Sequence, residues 1–416
     1  MLLYYVTTQV YFLFIHIASI FNTKARLWVN GRKNLLNNIK EVLANNENRI
    51  WIHCASLGEF EQGRPVIERL KSLNPELKIV LTFFSPSGFE VRKNYKGADY
   101  IFYLPPDSKS NAKRFISLIN PQYVIFVKYE FWANYINELN SRKIPLYLIS
   151  ANFRKGQLFF RWYGEFYRDI LHKFSYLFVQ NESSFELLKS IEISKVTISG
   201  DTRFDRVVDI ASQTKEIPLV SLFKNSDKIV IGGSTWSKDN ELLIDLINSK
   251  ALNSTKFIIA PHEIHEKDIE ELMDSLKVKS IRFSQANKTN VLDSQVLIID
   301  NIGMLSSLYR YASIAYIGGG FGKGIHNTLE AATFGLPVIF GPNYNKFIEA
   351  VELVNLDAAF PVHSSKELIA ITNDLFNNEP KLNHITEIAR NYVNNNKGAT
   401  DIIIDKINHL QASFSN

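Results

Sequence analysis

Two carboxylates stand where short apolar runs give way to polar turns: Glu59, in Ser56-Leu57-Gly58-Glu59-Phe60-Glu61, and Glu130, in Glu130-Phe131-Trp132. A carboxylate just past a strand can take a proton from a hydroxyl, which is general-base chemistry. On local grounds alone, an acid in a first helical turn more often just complements the helix dipole, and that is the stronger account of Glu59. For Glu130, a helix start packed by aromatics is an equally good account.

The longest run suited to a ligand is Ile317-Gly318-Gly319-Gly320-Phe321-Gly322-Lys323-Gly324-Ile325-His326-Asn327. An apolar strand here enters a glycine-rich loop, and a helix follows that Gly335 and Pro337 terminate. Glycine lets backbone approach a ligand closely, and the first amides of a helix attract phosphate. The run is not a P-loop, because Ile317 occupies the first glycine position and Gly324 follows Lys323 where Ser or Thr is needed. Lys323 also stands where a dinucleotide fingerprint needs its last glycine. A tight strand-to-helix connection without a ligand is the plainer alternative. Glu330, one turn on, is placed to accept hydrogen bonds from ribose hydroxyls, or else is a solvated helix residue. Ser234 and Thr235, in Gly232-Gly233-Ser234-Thr235-Trp236, end another strand and can contact phosphate or sugar, or simply cap the next helix.

Several chemistries are disfavoured. His262 and His265 are three apart but do not form H-E-x-x-H, so no zinc site is expected. There is no D-x-D pair to grip a metal and no G-x-S-x-G elbow. The single cysteine, Cys54, lies inside an apolar strand, permits no internal disulfide and points to a reducing compartment. A formal charge of +5 suits nucleotides or lipid headgroups and is too dispersed for nucleic-acid binding.

These residues need elements to hold them. With 416 residues, 46% hydrophobic, the chain is globular and long enough for two cores. Apolar runs at Ile50–Cys54, Lys78–Thr82, Tyr100–Leu104, Tyr123–Val127, Leu146–Ile149, Tyr176–Val179 and Val196–Ile198 alternate with helical patterns such as Glu59–Leu73 and Phe131–Leu139. The alternation restarts after a polar stretch, with strands at Lys228–Ile231, Lys256–Ile259, Val296–Ile299, Ile314–Ile317 and Val338–Phe340. Helices near Lys238–Ile247, Ile264–Leu276 and Asn327–Phe334 separate them, and 364–413 reads as helical. Unbroken apolar strands between helices predict parallel sheets covered on both faces. Ligands then sit beyond the carboxyl ends of the strands.

Met1 to Phe21 carries no charged side chain and is long enough to cross a bilayer, though Thr7, Thr8, Gln9, His16 and Ser19 also fit a tilted or interfacial helix, and a buried first helix of the globular domain is the plainer alternative. Lys24, Arg26, Arg32 and Lys33 follow, with Trp28 at the expected headgroup level, and keep the bulk of the chain cytoplasmic. The expected division is a membrane anchor at 1–22, a first domain at 23–212 and a second at 213–416.

Read in order, these motifs resemble the 3-deoxy-D-manno-octulosonic acid (Kdo) transferases of lipopolysaccharide synthesis. The resemblance runs over nearly the whole chain, from an N-terminal anchor and Trp51-Ile52-His53-Cys54-Ala55-Ser56-Leu57-Gly58-Glu59 through Ser85-Pro86-Ser87-Gly88 and Tyr103-Leu104-Pro105-Pro106-Asp107. It continues in Glu130-Phe131-Trp132, Ser150-Ala151-Asn152-Phe153-Arg154, Gly232–Trp236, Asp300–Tyr309 and Gly324-Ile325-His326-Asn327-Thr328-Leu329-Glu330. It implies an α/β GT-B fold, two Rossmann-like doubly wound domains facing a cleft. It implies CMP-Kdo as donor, a lipid A precursor as acceptor, and inversion at the anomeric carbon with no metal or cofactor, at the cytoplasmic face of the inner membrane. By the same resemblance Glu59 is the base and Glu130 a second essential carboxylate. The donor site is Ser234, Thr235, Lys323, Gly324, His326, Asn327 and Glu330. The chain departs from the family pattern at Pro261-His262-Glu263, where an arginine-bearing stretch is usual, and at Gly200-Asp201-Thr202, where Gly-Asn is common. Lys323 and Arg203 are candidate replacement cations. The competing readings are a GT-B enzyme using a UDP-sugar, whether transferase or epimerase, and a membrane-tethered binding protein without catalysis.

Overall fold

A computed structural model describes residues 2–43, 47–249, 252 and 255–414. It divides into two compact units, Met1–Arg206 with Lys397–Asn416, and Val207–Asn396.

The first unit is built on seven parallel strands: β1 (Arg49–Cys54), β2 (Lys78–Phe83), β3 (Tyr100–Tyr103), β4 (Pro121–Val127), β5 (Leu146–Ala151), β6 (Tyr176–Val179) and β7 (Val196–Ile198). They are arranged β3-β2-β1-β4-β5-β6-β7. Successive side chains on a strand point to opposite faces, and each face has its own core. Trp51, Val80, Val124, Phe126 and Leu148 fill one, while Ile50, Ile52, Cys54, Ile79, Leu81 and Ile125 fill the other. Burial on both sides is why these strands are apolar without a break. The order turns back between β1 and β4, so the loops after those two strands open the crevice where such sheets bind ligands.

The second unit repeats the plan with β8 (Lys228–Thr235), β9 (Thr255–Pro261), β10 (Ser280–Arg282), β11 (Val296–Ile298), β12 (Ile314–Ile317), β13 (Val338–Phe340) and β14 (Ala359–Pro361). All neighbours are parallel, in the order β10-β11-β9-β8-β12-β13-β14. Its turning point falls between β8 and β12. The outermost strands β10 and β14 were not anticipated from sequence.

Two regions depart from expectation. The helix Ala399–Phe414 joins the first unit, whereas the sequence reading carried the second domain to 416. Its Ile403, Ile404 and Ile407 complete the core beside Val66, Ile67 and Leu70 of the helix Leu57–Leu73. At the N-terminus, no single helix among the described residues is long and apolar enough to cross a membrane. The helix Leu2–Ala18 stops and the chain bends by 116° into Thr23–Asn30, and the two meet the requirement only as a bent pair. One side of Leu2–Ala18 is fastened to the unit. Tyr4 donates to Asp107 Oδ2 at 2.5 Å, Tyr5 donates to Asn134 Oδ1 at 2.7 Å, and Phe12 stacks on Trp28. Trp28, expected at the headgroup level, is instead buried, and Arg32 donates to the Leu104 and Phe84 carbonyls. The other side exposes Val6, Val10, Leu13, Phe14 and Ile17, followed by Ile20 and Phe21.

Candidate functional site

Glu59 lies in the first turn of the helix Leu57–Leu73, directly past β1, and accepts a hydrogen bond from the hydroxyl of Ser56, the residue that precedes the helix. It is partly exposed. Glu130 follows β4, the strand across the turning point, and is 7% exposed. Between the end of β4 and Glu130 the backbone passes through Lys128 at φ 72°, a left-handed conformation that a lysine adopts only at a cost. Burial first, then the charges of Glu59 and Glu130, push the Cys54 thiol well up, so both carboxylates bear on the end of β1. Burial also raises Tyr129; Arg154, beyond β5, opposes that shift and Glu59 adds to it. Arg154 is exposed, and its charge acts on Tyr129 beside Glu130.

Glu130 is held from behind. His53 Nε2 lies 2.9 Å from its Oε2, and the Trp132 indole N–H donates to that same oxygen at 2.5 Å. His53 Nδ1 lies 2.8 Å from the Thr82 hydroxyl, to which Trp51 Nε1 donates at 2.7 Å. Sequence reasoning passed over His53 and Thr82 because each sits within an apolar run and reads as core. The available signal was an imidazole inside an otherwise apolar strand.

In the second unit, Ser234 and Thr235 end β8 beside the glycine loop that follows β12. Ser234 has φ 52°, and a Cβ on Gly318 would come within 2.2 Å of the Ser234 carbonyl oxygen. Gly318 is therefore demanded by backbone packing against β8, whatever else the loop binds. Asp239 ties the region together: Oδ2 accepts from the Trp236 and Gly319 amides at 2.9 and 2.8 Å, and Oδ1 accepts from the Tyr316 hydroxyl at 2.8 Å. It too was missed, since a helix acid three residues past Trp236 has no distinguishing sequence signature. Thr235 and Thr328 bury hydroxyls that have no partner among the described residues.

The helix expected over Asn327–Phe334 is only Leu329–Thr333. Asn327 Oδ1 accepts from the Leu329 amide at 3.0 Å, while its Nδ2 donates to Glu330 Oε1 at 3.1 Å. Burial and the Glu330 charge together push the Tyr309 hydroxyl well up, which sets Glu330 near the end of β8, where Gly233 abuts Tyr309. His326 stacks on His262 with ring centroids 4.4 Å apart, and His262 stacks on Trp236 at 4.6 Å. Trp236 Nε1 donates to His326 Nε2 at 3.1 Å. Burial and then His262 pull the His326 imidazole below its ordinary value, against Asp239. Gly324 has φ 139°, and Lys323 is exposed and in no ion pair among the described residues. Arg203, the other candidate cation, lies in the first unit and is committed to Asp201, 2.7 Å from Nη2 and 2.9 Å from Nε.

So Glu59 and Glu130 follow the two strands that flank one turning point, and Ser234, Thr235, Gly324, His326, Asn327 and Glu330 lie at the end of β8 and in the loop and short helix after β12, the strands that flank the other. Both are places where this architecture binds ligands.

Comparison with known proteins agrees with this plan. Residues 30–206 match the family model for 3-deoxy-D-manno-octulosonic-acid transferase (kdotransferase). The 3-deoxy-D-manno-octulosonic acid transferase of Aquifex aeolicus is 30% identical over 341 residues, covering 81% of this chain and 88% of that one. The Haemophilus influenzae protein of the same name is 27% identical, covering 86% of each. Among solved structures, the UDP-GlcNAc 2-epimerase of Neisseria meningitidis superposes with a TM-score of 0.59 at 18% identity, over 86% of this chain and 99% of that one. MurG of Acinetobacter baumannii superposes with a TM-score of 0.55 at 14% identity, over 88% of this chain and 100% of that one. At those identities the structures speak for the GT-B fold alone, while the sequence relatives speak for descent. The chain belongs to the 3-deoxy-D-manno-octulosonic acid transferase family, glycosyltransferases of GT-B fold.

Proposed function

We propose that this protein transfers Kdo from CMP-Kdo onto a lipid A precursor, with inversion at the anomeric carbon. The observation that carries the reading is that Glu59 and Glu130 follow the two strands of the β1/β4 turning point, both charges acting on Cys54 at the end of β1, in a chain of this family. Glu59 takes the proton from the acceptor hydroxyl as its oxygen attacks the anomeric carbon. Ser56, donating to Oε2, aims the carboxylate. CMP leaves with the electron pair of the broken glycosidic bond.

The second unit holds the donor. Glu330 accepts from the ribose hydroxyls, and the Thr235 and Thr328 hydroxyls, buried and without a partner among the described residues, would donate to phosphate oxygens. With a helix of only five residues at Leu329–Thr333, little dipole is available, so hydroxyls and Lys323 carry more of the phosphate's charge.

The exposed apolar row from Val6 to Phe21 favours a helix lying in the headgroup boundary of the cytoplasmic leaflet over one that spans it. That placement brings the first unit to a lipid acceptor. The test is to incubate purified protein with labelled CMP-Kdo and a tetraacylated lipid A precursor, with UDP-GlcNAc as a parallel donor. Label in the lipid phase from CMP-Kdo alone is the expected result. Label from neither donor, or epimerised UDP-GlcNAc, overturns the proposal.

A further inference from the structure

We propose that His53, buried inside β1 and touching no substrate, is a positioning residue that fixes which oxygen of Glu130 faces the reaction. This rests on the reading of Glu130 as a carboxylate of the transfer site.

His53 has no exposed surface. An imidazole there is costly unless both nitrogens are satisfied, and the sheet supplies a partner for each. Parallel register sets His53 opposite Thr82 of β2. The Trp51 indole N–H can only donate, and it donates to the Thr82 hydroxyl oxygen at 2.7 Å. That hydroxyl lies 2.8 Å from Nδ1 of His53 and the Thr82 carbonyl 3.2 Å from it, so Nδ1 is satisfied by Thr82. A carboxylate oxygen accepts, so Nε2 is the donor to Glu130 Oε2 at 2.9 Å. The contacts therefore link Trp51, Thr82, His53 and Glu130 in a row from the core to the mouth of the crevice.

Trp132 donates to the same Oε2, so two N–H groups pin one oxygen. Oε1 is left as the atom Glu130 can offer to a reactant. The rings of Phe126 and Trp51, with centroids 5.4 and 6.3 Å from that of His53, hold the imidazole plane. The left-handed turn at Lys128 carries the chain from the end of β4 to the position of Glu130 beside β1. A histidine serving the core alone would need partners within the core. This one spends Nε2 on a carboxylate at the strand mouth.

The two imidazole nitrogens can be replaced one at a time. The amide nitrogen of glutamine reaches the position of Nε2, and that of asparagine the position of Nδ1. In the transfer assay with CMP-Kdo and lipid A precursor, His53→Gln should retain kcat within about tenfold of the parent. His53→Asn should lose about 10²-fold, the cost of a misplaced group in a reacting site. The KM for CMP-Kdo should stay unchanged in both. Equal kcat for the two variants, or parental kcat in His53→Asn, overturns the proposal, because a purely structural role has no reason to prefer glutamine. If neither variant folds, Thr82→Val removes the hydroxyl partner of Nδ1 while conserving volume; a parental kcat there overturns it as well. Glu130→Gln separates the two levels. An inactive Glu130→Gln beside active His53 variants defeats this inference alone, whereas an active Glu130→Gln defeats the reading of Glu130 on which it stands.

Discussion

Replacing Glu59 by glutamine separates a proton acceptor from a helix cap. Glutamine keeps the size of the side chain and an oxygen to accept from Ser56, so the local hydrogen bond survives. What it loses is charge and basicity. Losing the charge near the first turn of Leu57–Leu73 costs about 0.3–1 kcal/mol, and less where solvent screens it, as at this partly exposed position. For a unit of this size that lowers Tm by only a few degrees. Losing a general base costs about 10²–10⁴ in rate, which is roughly 3–5 kcal/mol of barrier. The two effects appear in different measurements. Thermal melting reads the first, single-turnover transfer at saturating CMP-Kdo reads the second, and CMP calorimetry checks that the second unit is untouched. The expected variant melts within a few degrees of the parent, binds CMP normally and transfers at least about 10²-fold more slowly. A folded Glu59→Gln protein that transfers at near-parental rate refutes the assignment of the base.

Glu330→Gln should weaken CMP binding severalfold with no change in melting; unchanged affinity by calorimetry counts against the ribose contact. Leu13→Gln with Phe14→Gln and Ile17→Gln should reduce sedimentation with anionic vesicles while leaving Tm in place, since all three side chains are exposed. Retention on vesicles equal to the parent would sink the interfacial helix. His326 has its pKa lowered by burial and by His262, so the unfolded chain takes up this proton first as pH falls below about 6.5. Its contribution to stability is complete above that pH and is lost on acidification through the lower folded value. The parent should therefore lose Tm between pH 7 and pH 5 by more than His326→Gln does, and parallel melting curves would contradict the sign.

The sheets were readable because parallel strands buried on both faces write themselves as unbroken apolar runs, as in Ile50-Trp51-Ile52 or Val124-Ile125-Phe126. The two strands that escaped, Ser280-Ile281-Arg282 and Ala359-Phe360-Pro361, lie at sheet edges, where half the backbone faces no partner and composition is freer. Glu59 and Glu130 were findable because each follows an apolar run. The grip of His53 on Glu130 was not, because it depends on β1 lying between β2 and β4, and neighbourhood across a sheet leaves no trace in local spacing. Trp28 misled for a related reason. An aromatic beside basic residues suits a headgroup boundary, yet here Phe12 and Arg32 enclose it within the fold.

The return of Ala399–Phe414 to the first unit has a consequence for biosynthesis. A ribosome moving along this message makes all seven strands of the first sheet before residue 200, yet Ile403, Ile404 and Ile407 of that unit's core come only after the whole second unit. Until then the faces of Val66, Ile67 and Leu70 lack their cover, and Asp205 lacks the Gly398 and Thr400 amides and the Thr400 hydroxyl that it binds. The second unit is whole first, and the unit begun before it is finished after it. A nascent chain of this protein thus carries an open apolar seam while the second unit is being made, and a chain truncated before Ala399 would leave that seam exposed to proteolysis.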